Sequence, residues 1–473
     1  MQKKKVTIQN IDMRLKLDKY LLFTIRLFFV LISHAFLTDG MFMDGLWYAT
    51  LSKNMADGVS SFWIPRLTET RYAWGQPSLA YLLESPFFMV GKTLYMAKIY
   101  SVLTCVCTGI VMYLVWREIG GERKNFWIVL LSWVIIPTIT WAAPQNLLEN
   151  TMSIFVLLSI LMYLKSTKSR RFLYVLLSGL LLTLSFLTKG LTGLYPLAFP
   201  LIYWLFLRKT KLHYSIVDTL LMAFSLLMPI LAFYFLNDNA HNFLVKYANE
   251  QVLNSIENVQ TVDTRFAILL IFFKEILLPL AVVGVIFLIA LKQNVLRKSL
   301  KKMDIRLALT FMLLELTGVI PMMVSMKQRG FYIITVFPIV ALAVGVAMEP
   351  LLNNIRTNMF FERFVKTIAV VMLVAAIVLN VSFAGKTGRD VNLLEDVHSI
   401  SSQIPEGSII GTSTAITSEW SMMAYFYFYK KISFDSPKEY PYYLCGKNDT
   451  PPDSSYLLCV KGNDYQLFKK DSK

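Results

Sequence analysis

Apolar runs of about 20 residues recur along most of this chain, the length needed to cross a hydrocarbon core of ~30 Å. They fall at roughly 20–38, 96–116, 125–141, 150–165, 172–188, 193–207, 214–236, 268–291, 306–325, 331–348 and 366–384 of 473 residues. Backbone in hydrocarbon has no water to bond, so each run must satisfy its own N–H and C=O groups as a helix. The expected architecture is therefore a polytopic membrane helix bundle of about 11 spans. Composition agrees: 16% of the residues are charged, against about a quarter in a soluble globular protein. The net charge of +16 is consequently no nucleic-acid signal.

The cationic residues cluster in short loops. Threading the spans alternately puts "KSTKSRR" (165–171), "RKTK" (208–211) and "KQNVLRKSLKKMDIR" (292–306) on one side with the N-terminal "MQKKK". Basic short loops mark the cytoplasm. The run Tyr20–Leu37 is long for a signal peptide and ends without a small-residue cleavage site, so it reads as an uncleaved first span. The opposite face receives 39–95, 142–149, 189–192, 237–267, 326–330 and the tail. We expect a membrane domain over 1–384, with interfacial helices in its first outer loop (39–95), and an extracytoplasmic α/β domain over 385–473. In that tail "VNLLEDVHSISSQI" and "SEWSMMAYFYFYK" read as helices, and "SIIGT" and "SYLLCVKG" as strands. Cys445 and Cys459 lie there, where an oxidising compartment would let them pair.

Function is sought among polar residues on the outer face. In "MDGLWYATLSKNM", Trp47, Leu51 and Met55 repeat every four positions beside Tyr48, which suggests an amphipathic helix at the membrane interface. Asp44 at its head fits an N-cap, and equally a catalytic carboxylate; the two roles are compatible. Glu149 opens the fourth span, as a helix-dipole partner or as a second acid. Lys189, in "LTKGLTGLYP", and Lys327 with Arg329, in "SMKQRGFY", place positive charge in tight outer turns. Such turns suit a lipid headgroup, a helix C-terminus or an anionic ligand, and Arg forks and Lys point charges fit phosphate well. Glu315, in mid-span, and the adjacent Lys274 and Glu275 are intramembrane or near-membrane charges with no evident sequence partner.

Five segments in this order resemble the GT-C glycosyltransferases of family 39, which include protein O-mannosyltransferases and the lipid A aminoarabinose transferase. They are "MDGLWYATLSKNM", "YAWGQPSLAYLLESPFFMVG", "LENTMSIF", "FLTKGLTGLYPLAFP" and "SMKQRGFYIITVFPIVAL", within about residues 15–350. The resemblance implies a GT-C bundle that takes a sugar from a polyprenyl-phosphate carrier and gives it to an extracytoplasmic lipid, glycan or protein. It implies Asp44 as lead carboxylate and Glu149 as second acid, with Lys189, Lys327, Arg329 and Tyr332 at the carrier phosphate. Two departures stand out. Glu149 stands where the family usually has Asp, and Gly75-Gln76-Pro77 stands where the aminoarabinose branch has Glu-Lys-Pro. The second removes a cation and an acid, so a divalent metal has no ligand cluster behind it.

The rival reading is a transporter or flippase of lipid-linked sugars, which tends to show internal repeats and midplane sites. No repeat is visible here, and the polar clusters lie at one face. The expected setting is a bacterial inner membrane, with the N-terminus cytoplasmic and the tail periplasmic.

Overall fold

The computed structural model describes residues 18–357, 359–436 and 440–471. The N-terminal "MQKKK" lies outside the described residues. The chain enters the bundle through α1 (Lys19–Phe36), and the first loop carries α2 (Met43–Ala56), the strand pair β1 (Arg66–Thr68) and β2 (Arg71–Tyr72), and α3 (Leu79–Val90). There follow α4 (Leu94–Glu118), α5 (Phe126–Val134), α6 (Pro137–Ala142), α7 (Leu148–Ser166), α8 (Arg171–Lys189), α9 (Phe199–Leu207) and α10 (Leu212–Leu236). A second loop holds α11 (Asp238–Tyr247) and α12 (Asn254–Glu257), before α13 (Ala267–Glu275), α14 (Leu277–Lys292), α15 (Leu296–Leu300), α16 (Ile305–Val319), α17 (Phe337–Leu352) and α18 (Met359–Phe383).

Among the described residues eight helices are long and apolar enough to cross a membrane, and α13 with α14 makes a ninth, bent by 43°. Two expected spans are not continuous helices. The run 125–141 breaks at Ile136, whose extended backbone precedes Pro137 at the first position of α6. A proline there has no N–H to lose and cannot extend the preceding helix. The run 193–207 begins as a 3₁₀ turn, Tyr195–Ala198, and only Phe199–Leu207 is α-helical.

The C-terminal part folds as a small sheet domain with α19 (Val391–Ser401), β3 (Ile409–Thr412), α20 (Thr414–Thr417), α21 (Trp420–Lys430), β4 (Ser433–Asp435), β5 (Tyr442–Gly446), β6 (Tyr456–Lys461) and β7 (Tyr465–Lys470). The strand order is β4-β3-β5-β7-β6. β3 runs parallel to β4 and β5, and β7 antiparallel to β5 and β6. Both helices and both strands anticipated in this tail are present. Cys445 and Cys459 are unpaired, on β5 and β6 with β7 between them.

The expected interfacial role of α2 is not what the fold shows. One core joins Met41, Leu46 and Ala49 to Ile410, Tyr425, Phe426 and Phe428 of the sheet domain. The polar side of α2 is buried as well, including Ser52, Lys53 and Asn54. Lys53 donates to the Phe428 carbonyl, and burial lowers its pKa to about 8. Asn54 Nδ2 bonds the carbonyls of Arg66 and Leu67 at 2.7 and 3.0 Å. α2 is thus clamped between α3 and the sheet domain.

Under that clamp lies Glu84 of α3, fully enclosed. Ser52 Oγ donates to its Oε2 at 2.7 Å and Asn146 Nδ2 to its Oε1 at 2.9 Å. Burial raises its pKa to about 7, with those two hydrogen bonds opposing. The folded chain therefore holds this proton to higher pH than the unfolded chain. The cost of ionising it appears as pH climbs from the ordinary glutamate range through about 7. Glu84→Gln should melt with the wild type in detergent at about pH 5, yet be more stable by up to about 3 kcal/mol at about pH 8. Equal offsets at both pH values would contradict this.

Candidate active site

Asp44 sits in the first turn of α2 but does not cap it. The N-cap position is Phe42, and no side chain makes a cap bond there. The work is done from the loop before α7: Gln145 Oε1 accepts from the Phe42 N–H at 2.8 Å. Next to it, Asn146 adopts a positive φ of 54°, a conformation asparagine tolerates, and its Nδ2 meets the Gly45 carbonyl at 3.3 Å. The approach is so close that a Cβ on Gly45 would lie 1.8 Å from the Gln145 carbonyl oxygen. The start of α2 is therefore pinned, and the Asp44 carboxylate is left for the cavity.

That cavity, of about 990 Å³, is lined by Asp44, Lys189, Lys327, Arg329 and Tyr332 together. Five of the six residues expected at the site from sequence thus line one cavity. Burial raises the Asp44 pKa above the ordinary aspartate range, while the charges of Lys189, Lys327 and Arg329 pull it back. Lys327 is pushed in the opposite sense: burial lowers its pKa, the Asp44 charge raises it and Lys189 lowers it. Lys327 Nζ lies 3.4 Å from Ser255 Oγ. Arg329 is exposed to the cavity, and its guanidinium has no hydrogen-bond or ion-pair partner among the described residues.

The sixth residue lies behind the wall. Glu149, fully buried in the first turn of α7, forms an ion pair with Lys189, itself only 6% exposed at the end of α8. The Lys189 ammonium lies 4.9 Å from the Tyr332 ring centroid and 5.5 Å from that of Phe331. Gly190 ends the helix at φ +94°, packed so tightly that a Cβ would lie 1.7 Å from Tyr247 Oη. The C-cap expected at Lys189–Gly190 is thus combined with a charge aimed at the cavity.

One further residue that builds the site drew no notice in the sequence, and two charged residues that did draw notice lie outside it. Gln328 is buried between Lys327 and Arg329. Its Oε1 accepts from Ile268 N at 2.8 Å, and its Nε2 bonds the carbonyls of Arg265 and Ser325, each at 2.9 Å. It fixes the turn that carries both cations. Glu275 caps α6 by accepting from Thr138 N at 2.9 Å, a structural role. Glu315 is buried on α16, away from the cavity wall, with Oε2 unpartnered among the described residues. No group of three or more His, Cys, Asp and Glu converges among the described residues, so no metal ligand set is assigned.

Removing one member of a buried ion pair leaves the other charge uncompensated, at about 3–5 kcal/mol. Lys189→Met should lower the unfolding temperature in detergent, and the double variant Lys189→Met/Glu149→Gln should regain part of the loss. Equal destabilisation by single and double variants would show that the pair is not coupled.

No protein-family model and no curated protein matches the chain. Solved structures do. Two crystal structures of ArnT from Cupriavidus metallidurans, one bound to undecaprenyl phosphate and one in the apo state, superpose with TM-scores of 0.62 and 0.63. Each is 14% identical and covers 95% of this chain and 97% of the ArnT chain. The likeness extends through the membrane bundle and the C-terminal sheet domain alike, and the chain shares the fold of these ArnT structures.

Proposed function

We propose that this protein moves a sugar from a polyprenyl-phosphate carrier to a hydroxyl of an extracytoplasmic acceptor, with inversion at the anomeric carbon. The observation that carries the reading is one cavity holding a carboxylate released from capping and three cations from two distant turns of the chain. The ArnT structure with undecaprenyl phosphate supports the donor class.

In this reading the acceptor oxygen attacks the anomeric carbon as the bond from that carbon to the phosphate oxygen breaks. The acceptor proton passes to Asp44, whose raised pKa makes it a better base than an exposed aspartate. The electron pair leaves with the polyprenyl phosphate. Lys189, Lys327 and Arg329 meet that charge in place, so the leaving group needs no proton. Arg329, with its donors free, supplies the fork. Tyr332 stands against the Lys189 ammonium and lines the same wall. Glu149 acts through Lys189, holding its ammonium at the wall, because it does not line the cavity itself. Val252, Ile256, Met322 and Val324 give the cavity an apolar flank suited to the prenyl chain. Basic loops at the other ends of the spans support an outer-face location for this cavity.

The test is transfer from radiolabelled undecaprenyl-phosphate sugars to cell-envelope extracts by purified protein. Asp44→Asn should lower the rate by about 10²–10⁴-fold while retaining undecaprenyl phosphate binding. The wild-type rate should fall as the medium is acidified, with its acidic limb above the ordinary aspartate range because it is the ionised carboxylate that takes the proton. Unchanged transfer by Asp44→Asn would remove it as the base. Carrier movement across liposomes without transfer would favour transport instead.

A further inference from the structure

The same cavity has a second wall that the donor chemistry does not use. Trp47 follows Asp44 by three positions on α2, and its ring centroid lies 4.6 Å from that of Trp420, at the start of α21. Trp420 belongs to the sheet domain, so this end of the cavity stands outside the membrane-length helices. The Arg71 guanidinium covers one side of Trp420 at 3.9 Å and donates to the Thr417 carbonyl at 3.1 Å, tying β2 to the sheet domain. On the same cavity Tyr72 stacks on Trp74, with centroids 5.4 Å apart and planes 19° apart; the Arg66 guanidinium lies 4.7 Å from the Tyr72 ring and Lys246 lies 4.0 Å from Trp74. Trp420 and Tyr72 nonetheless stay 40% and 43% exposed. Beside them Gln76, also on the cavity wall, holds its Oε1 enclosed with no hydrogen-bond donor among the described residues.

Large aromatic side chains left partly exposed beside a cavity mark a binding surface. Here the faces come from two separate parts of the chain and are braced from behind by cations. A π face is electron-rich and attracts the polarised C–H groups on the flat side of a pyranose ring. The ring's hydroxyls point sideways, where an unpaired amide oxygen such as Gln76 Oε1 can accept a hydrogen bond. We propose that Trp47, Trp420, Tyr72 and Trp74, with Gln76, form a saccharide-binding subsite, and that the acceptor presents a sugar ring there. The binding site stands on this geometry; that its occupant is the acceptor rests on the glycosyltransferase reading.

Calorimetry on the full chain in detergent tests it, with water-soluble saccharides released by mild acid from the host cell envelope as probe. Tryptic peptides of the same envelope and undecaprenyl phosphate serve as comparators. The saccharides should bind the wild type and Trp420→Phe, which keeps an aromatic face. Trp420→Leu, which keeps apolar bulk and loses the face, should weaken binding by at least about fivefold. Undecaprenyl phosphate should bind all three alike, which also shows that each is folded. Saccharide binding that is equal in all three, absent from the wild type, or replaced by Trp420-dependent peptide binding overturns the proposal. Trp420-dependent saccharide binding by a protein that neither binds undecaprenyl phosphate nor transfers sugar would leave the subsite standing and sink the transferase reading.

Discussion

A charge facing a cavity from the end of an apolar helix needs an opposite charge within reach, and the Glu149–Lys189 pair meets that need. Desolvating a lone ammonium costs several kcal/mol, so without Glu149 the lysine would turn away or lose its proton. The pair also joins the first turn of α7 to the last turn of α8, the most extensively packed helix pair in the fold. Tyr332 and Phe331 close over the same ammonium. Three segments far apart in the chain are therefore registered around one charge, and Lys327 and Arg329 take their places relative to it.

A second constraint works from the other side. α2 carries Asp44 but has few means of its own to stay put: fourteen residues with a mixed surface, one end fixed by Gln145 and Asn146 and the flank by the sheet domain. Tyr425 receives the Met41 N–H at 3.0 Å and Tyr429 donates to Asp39 at 2.7 Å, so the aromatic run of α21 grips the segment that leads into α2. The sheet domain is thereby part of the frame that aims the carboxylate, and through Trp420 part of the cavity wall.

Much of this was legible in the sequence because membrane solvent leaves few choices. Apolar runs of spanning length gave the bundle, and basic turns on the unexpected side picked out Lys189, Lys327 and Arg329. What escaped notice depends on partners distant in the chain. The Trp47–Leu51–Met55 stripe suggested a lipid-facing helix because the acceptor of the buried Lys53 lies 375 residues further on, and Ser52 and Asn54 also bond acceptors outside the helix. Gln145 and Gln328 are ordinary polar loop residues until their backbone partners are known. Glu84, an acid within an apolar helical run, was the one missed residue that carried a sequence signal. Pro137 likewise marked the break in the run 125–141.

The two ways of reading Asp44 are separated by where the capping bond goes. A carboxylate that caps a helix spends its lone pairs on backbone N–H groups, which favours the ionised form and makes it a poor base. With Gln145 supplying the acceptor at Phe42, Asp44 is spared that bond and feels burial first and the three cations second. Those cations oppose the rise in its pKa, so a ligand phosphate that neutralised them would remove the opposition. Occupation of the cavity by an anionic carrier would then make Asp44 more basic at the moment a proton has to be taken. In an empty cavity the same cations favour the ionised carboxylate. In the proposed transfer the carboxylate and a carrier phosphate would thus be coupled through shared charges, with no moving part required.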